Sequence, residues 1–591
     1  MSFRFARPQL ILLHAPSVYD FRTYPLMLGP IADGVPSTPL FEMYPIGFFS
    51  IVEHLDRHGI GVRIINLALR MLSDEAFDAE AMIQKLRPTA FGIDLHWLPH
   101  AQGSVEVAKL CKKHHPELPV IFGGYSATYF HQELIRYPEV DFIIRGDSAE
   151  EPLLQLMQAL ESHASPAFHT IPNLVWKAPD GEVQVNPLMH VPGDLNHCAN
   201  NYLSAFKSAL RYRDVRSMSP WKGWTAHEWL DYPITPVITC RGCVHNCTFC
   251  GGSRNALALY CNRKRPAFRD PQLIAADIAR IAHFSRAPIF IIGDLLQPGK
   301  DYAATVLEEL KRAKVKNHLV FELFTTAPKG FFDQVAESIE HFNFEISPDS
   351  HDEQIRAAEG KQYTNAAIEA NLTWALNAGC HKFDLFFMIG LPYQTRDSVL
   401  ATVAWCGELM RTFGPRVVPF ILPYSPFIDP GCIAYEQSEQ YGYKILLKTL
   451  EEYRKALLAP SWKYALNYET NWLTRDDIVE CAYQAGLRLN ELKHECGLID
   501  ETAYRRTEAR INRAVELTAA VDELMRLDDL TLRQERLMTL KPEFDALFES
   551  VTHEKVQLDW PAGKRNLRLL PLMIAAVGDS VRSRRGKRRQ A

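Results

Sequence analysis

Four of the 12 cysteines in this 591-residue chain fall between Cys240 and Cys250. Residues 239–253 read TCRGCVHNCTFCGGS, which puts Cys243, Cys247 and Cys250 in C-x3-C-x2-C spacing. Thiolates are soft ligands that suit iron and zinc. Three of them close in sequence can wrap one face of an iron–sulfur cube and leave one iron open to a substrate or cofactor. Catalytic zinc keeps one position open by the same logic. With Cys240 as a fourth ligand, the site would instead be a closed zinc or electron-transfer centre. The open three-cysteine arrangement is the preferred reading. The glycines that follow, Gly251 and Gly252, would let backbone approach a bound group closely.

The elements that must hold this loop can be read on both sides of it. A strand candidate at 235–239 runs directly into the motif, and others follow at 288–292, 319–323, 342–346, 382–389 and 417–421. Helical stretches at 271–283, 302–313 and 365–378 separate them. Six βα units fit a partial (β/α) barrel, which carries its site at the strands' carboxyl ends. Upstream, apolar runs at 10–13, 62–66, 90–93, 120–122 and 142–144 alternate with helical segments such as 45–58 and 103–115. That pattern predicts a doubly wound, Rossmann-like parallel sheet. Its strand ends deliver His14, Asp94-Leu95-His96, Gly123-Gly124 and Arg145-Gly146-Asp147 to one edge.

The expected domains are therefore 1–165 (doubly wound), 166–232 (a proline-rich connector with Trp221, Trp224 and Trp229), 233–435 (barrel) and 436–560 (helical). A tail at 561–591 ends in a basic, disordered run that includes Arg582, Arg584, Arg585, Lys587, Arg588 and Arg589. Apolar residues at 47% and charged residues at 23% are an ordinary globular balance. A net charge of −5 gives no field that would draw nucleic acid or a membrane. No apolar run is long enough to span a bilayer or to form a secretory signal. Sparse cysteines and the missing signal point to a cytoplasmic protein.

The strand-first cysteine motif resembles that of the radical SAM superfamily, and Phe249 stands at that family's usual aromatic position. The resemblance extends along the barrel. IFIIGD at 289–294 looks like the second strand, whose end (Gly293, Asp294) contacts the methionine amino group of S-adenosylmethionine. FEISPDS at 344–350 looks like the fourth strand, with Glu345 and Ser347 as ribose or carboxylate contacts. FFMIGLP at 386–392 resembles the strand whose glycine, Gly390, lines the adenine pocket.

A doubly wound domain ahead of such a barrel resembles the cobalamin-binding subgroup, on FGIDL at 91–95, FGG at 122–124 and FIIRGDSAEEP at 142–152. The resemblance implies that Gly123, Gly124 and Gly146 lie along the corrin and its nucleotide tail. Asp94-Leu95-His96 begins like Asp-x-His-x-x-Gly, but Pro99 stands where the glycine belongs, and the segment follows the third strand, not the first. His96, Asp94, Trp97 and His100 are therefore read as a polar loop, with His14 a further axial-ligand candidate.

The implied cofactors are a [4Fe-4S] cluster, S-adenosylmethionine and cobalamin. The implied activity is reductive cleavage of S-adenosylmethionine to a 5′-deoxyadenosyl radical, used for C-methylation of an unactivated carbon. The alternatives are a radical rearrangement or ring formation without methylation, or a non-catalytic cobalamin or iron–sulfur sensor or electron carrier. Expected partners are a small-molecule or peptide substrate and an external electron donor such as flavodoxin or ferredoxin. The aromatic segment 461–477, with Trp462, Tyr464, Tyr468 and Trp472, reads as helix core, and 423–430 reads as a pocket wall. The helical domain is expected to close the barrel mouth, and the carboxyl ends of the two sheets to face each other.

Overall fold

The computed structural model describes residues 7–33, 46–162, 167–199, 202–214, 217, 235–423, 428–548, 550–561, 566–568 and 570–574. Trp221, Trp224, Trp229, residues 424–427 of the expected pocket wall and the basic run of the tail lie outside them.

Strands β1 (Leu10–His14), β2 (Val62–Asn66), β3 (Ala90–Asp94), β4 (Val120–Gly123) and β5 (Phe142–Ile144) form a parallel sheet in the order β2-β1-β3-β4-β5. β1 and β3 are buried at every position, as strands covered on both faces must be. The strand order reverses between β1 and β3, so the crevice outside their carboxyl ends is the natural ligand position. Strands β6 (Leu174–Lys177) and β7 (Val183–Val185) add to β5 in antiparallel fashion. The sequence pattern places these residues in the connector. The reason is physical: β7 is an exposed edge strand between Pro179 and Pro187, without the apolar run that marks its buried neighbours.

The second sheet contains β8 (Thr235–Ile238), β11 (Ile289–Ile292), β12 (Leu319–Leu323), β13 (Phe342–Asp349), β14 (Phe383–Ile389) and β15 (Val417–Pro423). They are parallel and lie in chain order, which is the open, partial barrel expected. Phe321, Phe344 and Phe383 stack across three adjacent strands at centroid distances of 5.6 and 5.8 Å. Burial of each such ring stabilises the fold by about 1.5–3 kcal/mol. Between β8 and β11, the two-residue strands β9 (Cys240–Arg241) and β10 (Ala267–Phe268) pair antiparallel and close the base of the cysteine loop.

The helices Arg475–Glu495, Glu501–Met525 and Leu530–Ala546 follow. Thr474 and Asp477 form a capping box at the start of the first, which packs on the helix Arg396–Phe413 and on β15. Of the four aromatics expected in a helix core, Trp462 and Tyr468 are buried and Tyr464 and Trp472 only partly so, and Tyr468 lies on the short strand Tyr468–Thr470, not on a helix; the Trp462 Nε1–H donates to Tyr483 Oη at 3.0 Å. No helix among the described residues is long and apolar enough to cross a membrane.

Candidate active site

A single cavity of about 640 Å³ is walled by both sheets' carboxyl ends. Cys243, Cys247, Cys250 and Phe249 line it from the barrel side, and Gly123, Gly124, Gly146 and His96 from the other. Among the described residues, none beyond Lys361 contributes to its wall. The mouth is thus covered by the N-terminal sheet's loops, not by the C-terminal helices, the first of which packs against β15. The expectation that those helices close the barrel is not met by the described cavity wall: Arg475–Glu495 packs on the helix Arg396–Phe413 and on β15, Glu501–Met525 packs on Arg475–Glu495, and Leu530–Ala546 packs on Glu501–Met525.

The cysteine loop leaves β9 and re-enters regular structure at the helix Arg254–Tyr260, where the Ser253 hydroxyl accepts from Ala256 N–H. Backbone N–H groups of His245 and Gly252 point at the Cys243 and Cys250 sulfurs, both at 3.3 Å. Burial raises all three thiols, Cys243 to about 11 and Cys250 to about 12. A metal that takes them as thiolates must release those protons. Cys240 also lines the cavity and stands in C-x2-C spacing with Cys243, but its backbone is fixed in the ladder opposite Phe268. Among the described residues the one trio of ligand atoms within 4.8 Å of one another involves none of these cysteines. They do not gather round one ion, as zinc would require with Zn–S bonds of about 2.3 Å. Thiols set apart around a loop fit the corners of a larger cluster.

The barrel residues expected in the site divide. Gly293, Glu345 and Ser347 line the cavity. Gly293 has φ +98°, and a Cβ there would lie 2.7 Å from Cys240 Sγ, so only glycine fits. Its N–H donates to Glu322 Oε2 at 2.8 Å. Asp294 does not reach the wall. Its carboxylate accepts from Leu296 and Phe324 N–H at 2.8 and 3.0 Å, tying the end of β11 to that of β12. Gly390 is also outside the wall: it donates to Gln394 Oε1, and a Cβ would meet Tyr468 Oη at 2.3 Å. Gly251 likewise makes room for protein, since its N–H donates to Asp429 Oδ2 at 3.1 Å. Asp429 also accepts from Trp97 Nε1 at 3.3 Å, joining the loop after β15 to the loop after β3.

The sequence gives no prior sign of Lys361 as a wall residue and only an indirect one of Glu322. Lys361 pairs with Asp349 at 2.7 Å, donates to Ser347 O and lies 5.6 Å from the Phe249 ring centroid. Glu322 stands in register with Glu345 on the neighbouring strand. Burial lifts Glu322 to about 7 and, with Glu322 beside it, lifts Glu345 well above the usual range. A signal existed for the second: Phe321-Glu322-Leu323 and Phe344-Glu345-Ile346 repeat one pattern on two strands.

On the N-terminal side the cavity runs down one face of the sheet. Leu12, Gly92 and Ile121 lie in register across β1, β3 and β4, opposed by Phe48, Ile51 and Leu153. This slot suits a flat apolar group. Above it, the His14 and His96 Nδ1 atoms contact the Asp94 carboxylate at 3.1 and 2.7 Å, at the point where strand order reverses. Burial opposes charge on Asp94, yet the two imidazoles hold it well below the usual range. Gly124, with φ +114°, is packed against this loop: a Cβ would lie 2.4 Å from His96 Cα. Its smallness serves the His96 backbone and not the cavity.

Two family models match the chain, the B12 binding domain over residues 34–155 and the radical SAM superfamily over residues 237–406. Cytidylyl-2-hydroxyethylphosphonate methyltransferase of Streptomyces wedmorensis is 22% identical over 256 residues, 36% of this chain and 46% of that one. Hopanoid C-3 methylase of Methylococcus capsulatus is 22% identical over 283 residues, 48% of each chain. The chain spans less than half the length of these relatives. The solved structure of the radical S-adenosylmethionine methyltransferase TsrM from Kitasatospora setae, with cobalamin and a [4Fe-4S] cluster bound, has a TM-score of 0.55 at 13% identity. It covers 91% of this chain and 99% of that one. The cobalamin-dependent S-adenosylmethionine radical enzyme OxsB gives 0.56 at 11% identity, over 98% and 81%. Both likenesses establish the fold.

Proposed function

We infer that this chain, a radical SAM protein with a B12-binding domain, is a cobalamin-dependent C-methyltransferase acting on a small molecule. The observation that carries this reading is the single cavity shared by the cysteine loop and the corrin-side loops. A methyl donor and a radical source can act on one carbon only across such a common space. The cluster and cobalamin, when bound, would supply reductive cleavage of S-adenosylmethionine and methyl transfer.

The chain's own residues have separable tasks in this reading. Cys243, Cys247 and Cys250 hold the cluster, with Phe249 packed beside them. Gly293 gives S-adenosylmethionine close backbone access, while Glu345 and Ser347 meet its polar groups. Asp294 and Gly390 shape the strand ends behind them. Lys361, its charge met by Asp349, ties Asp349 to the Ser347 carbonyl beside Phe249 on the same wall. Gly123 and Gly146 border the corrin, and the slot over Leu12, Gly92 and Ile121 takes an apolar tail. The sheet loops over the barrel mouth exclude water and oxygen from the reacting centre. Electrons come from an external donor of the flavodoxin or ferredoxin kind.

A second reading, ring formation without methylation, is favoured by one relative. The anaerobic magnesium-protoporphyrin IX monomethyl ester cyclase of Synechocystis is 24% identical over 180 residues, 30% of this chain and 31% of that one. The test is anaerobic reconstitution with methyl-labelled S-adenosylmethionine, hydroxocobalamin and a reductant, with mass spectrometry on metabolite pools. 5′-Deoxyadenosine with a labelled product is expected. 5′-Deoxyadenosine with an unlabelled product favours ring formation, and no 5′-deoxyadenosine at all refutes both.

A further inference from the structure

The loop after β5 runs Arg145-Gly146-Asp147-Ser148-Ala149-Glu150 and meets the barrel through two buried ion pairs. Asp147 takes the Arg263 guanidinium in a fork, Nε to one oxygen and Nη2 to the other, the latter at 3.0 Å. Glu150 takes Arg241 in a second fork, end-on, from Nη2 to Oε1 at 2.5 Å and from Nη1 to Oε2 at 3.0 Å. The Asp147, Glu150 and Arg263 side chains are at most 2% exposed and that of Arg241 is 11% exposed. Arg241 stands two residues before Cys243, and Arg263 follows the helix Arg254–Tyr260 that leaves the cysteine loop. One N-terminal loop therefore grips the cysteine loop at both ends. The connector joins in: Arg263 Nη1 donates to Pro192 O at 3.0 Å, and the Cys198 thiol donates to Glu150 Oε1 at 3.4 Å. Glu150, His197 and Cys198 are close enough for a metal ion, but both Glu150 oxygens are committed to a guanidinium, so the group is an ion-pair node.

We propose that Asp147–Arg263 and Glu150–Arg241 form an interdomain clamp that sets the register between the corrin-side loop and the cysteine loop, with these four as positioning residues. The inference rests on the proposed function for its purpose, because a methyl donor and a radical source must be held in register. A forked arginine–carboxylate pair fixes orientation as well as distance. Buried pairs add little net stability over apolar packing, since desolvation offsets attraction, so their use here is geometric. The two pairs hold opposite ends of the loop, beside the tie from Trp97 through Asp429 to Gly251 between them.

Asp147→Asn and Glu150→Gln, singly and together, keep side-chain shape and remove the charge. Arg241→Lys and Arg263→Lys keep the charge and lose the fork. In the cofactor-free full chain, hydrogen exchange should accelerate at least about tenfold in residues 192–198, 239–250 and 261–268 together in the double carboxamide variant. The helices Arg396–Phe413 and Arg475–Glu495 should exchange as before. In protein loaded with cob(II)alamin and a reduced cluster, magnetic coupling between the two should change from one distance to a broad distribution, with both contents retained. Acceleration confined to 145–150, or one unchanged coupling distance, overturns the clamp. Should the double variant not fold, the lysine variants are read by the same two outcomes. Because exchange is read without cofactors, failure to bind them would refute the proposed function and leave the clamp standing.

Discussion

Cys240 and the three loop cysteines share one cavity, yet their backbones are held differently, and that difference is testable. Cys240 lies in the β9–β10 ladder, while Cys243, Cys247 and Cys250 lie on the loop between β9 and the helix Arg254–Tyr260. After anaerobic iron–sulfur reconstitution, the triple alanine variant of the loop cysteines should lose the visible absorption of the cluster. Cys240→Ala should keep it. Loss in Cys240→Ala alone would make the site a closed one. Glu322 gives a second prediction. Burial raises it from 4.5 to about 7. A carboxyl whose folded-state value lies above its unfolded one takes up a proton on folding between the two. Its contribution is complete below about 4.5 and is lost as pH rises through about 7. Melting temperatures of the cofactor-free protein should fall across that window. Glu322→Gln, whose carbonyl can still accept from Gly293 N–H, should flatten part of the fall; an identical slope in both proteins would mean that Glu322 is already ionised when buried.

At the scale of elements, the loops after β3 and β4 are built against each other at Gly124. Gly124→Ala adds a Cβ 2.4 Å from His96 Cα at a φ of +114°. Backbone strain of this kind costs about 1–3 kcal/mol before the clash is counted. Cobalamin affinity and the denaturation midpoint should fall together in this variant. A loss of affinity at unchanged stability would instead mean that a side chain at 124 blocks the tail itself. The buried strands could be read from sequence because a parallel strand covered on both faces leaves an unbroken apolar run, as in Leu10–His14. The cysteine loop could be read because few residue types bind soft metals. β7 could not, since a short exposed edge strand leaves no such run, and β6, at four residues, is half-buried and sits among prolines. Lys361 was hidden for another reason: a lone lysine is normally a solvated one, and only tertiary packing buries this one beside Asp349. Asp294 was expected in the site by its place after Gly293, but the turn there aims its carboxylate at the ends of β11 and β12.

In the molecule as a whole, the carboxyl ends of two unrelated sheets face one cavity, as the sequence reading expected, and the loops of one sheet roof the other. The orientation itself was beyond local sequence. It depends on pairs such as Asp147–Arg263 and Trp97–Asp429, whose members are 116 and 332 residues apart. A shared wall also has a thermodynamic meaning. Whatever one occupant does to order that wall alters the affinity of the other, and the alteration is the same in both directions. The factor by which S-adenosylmethionine changes the dissociation constant of hydroxocobalamin must equal the factor by which hydroxocobalamin changes that of S-adenosylmethionine. Calorimetric titrations in both orders on cluster-loaded protein should return one factor, within about 5- to 150-fold. A factor of one would mean that the two halves of the cavity fill independently. A tightening factor in that range would mean that the half-loaded protein releases its single cofactor far more readily than the complete one.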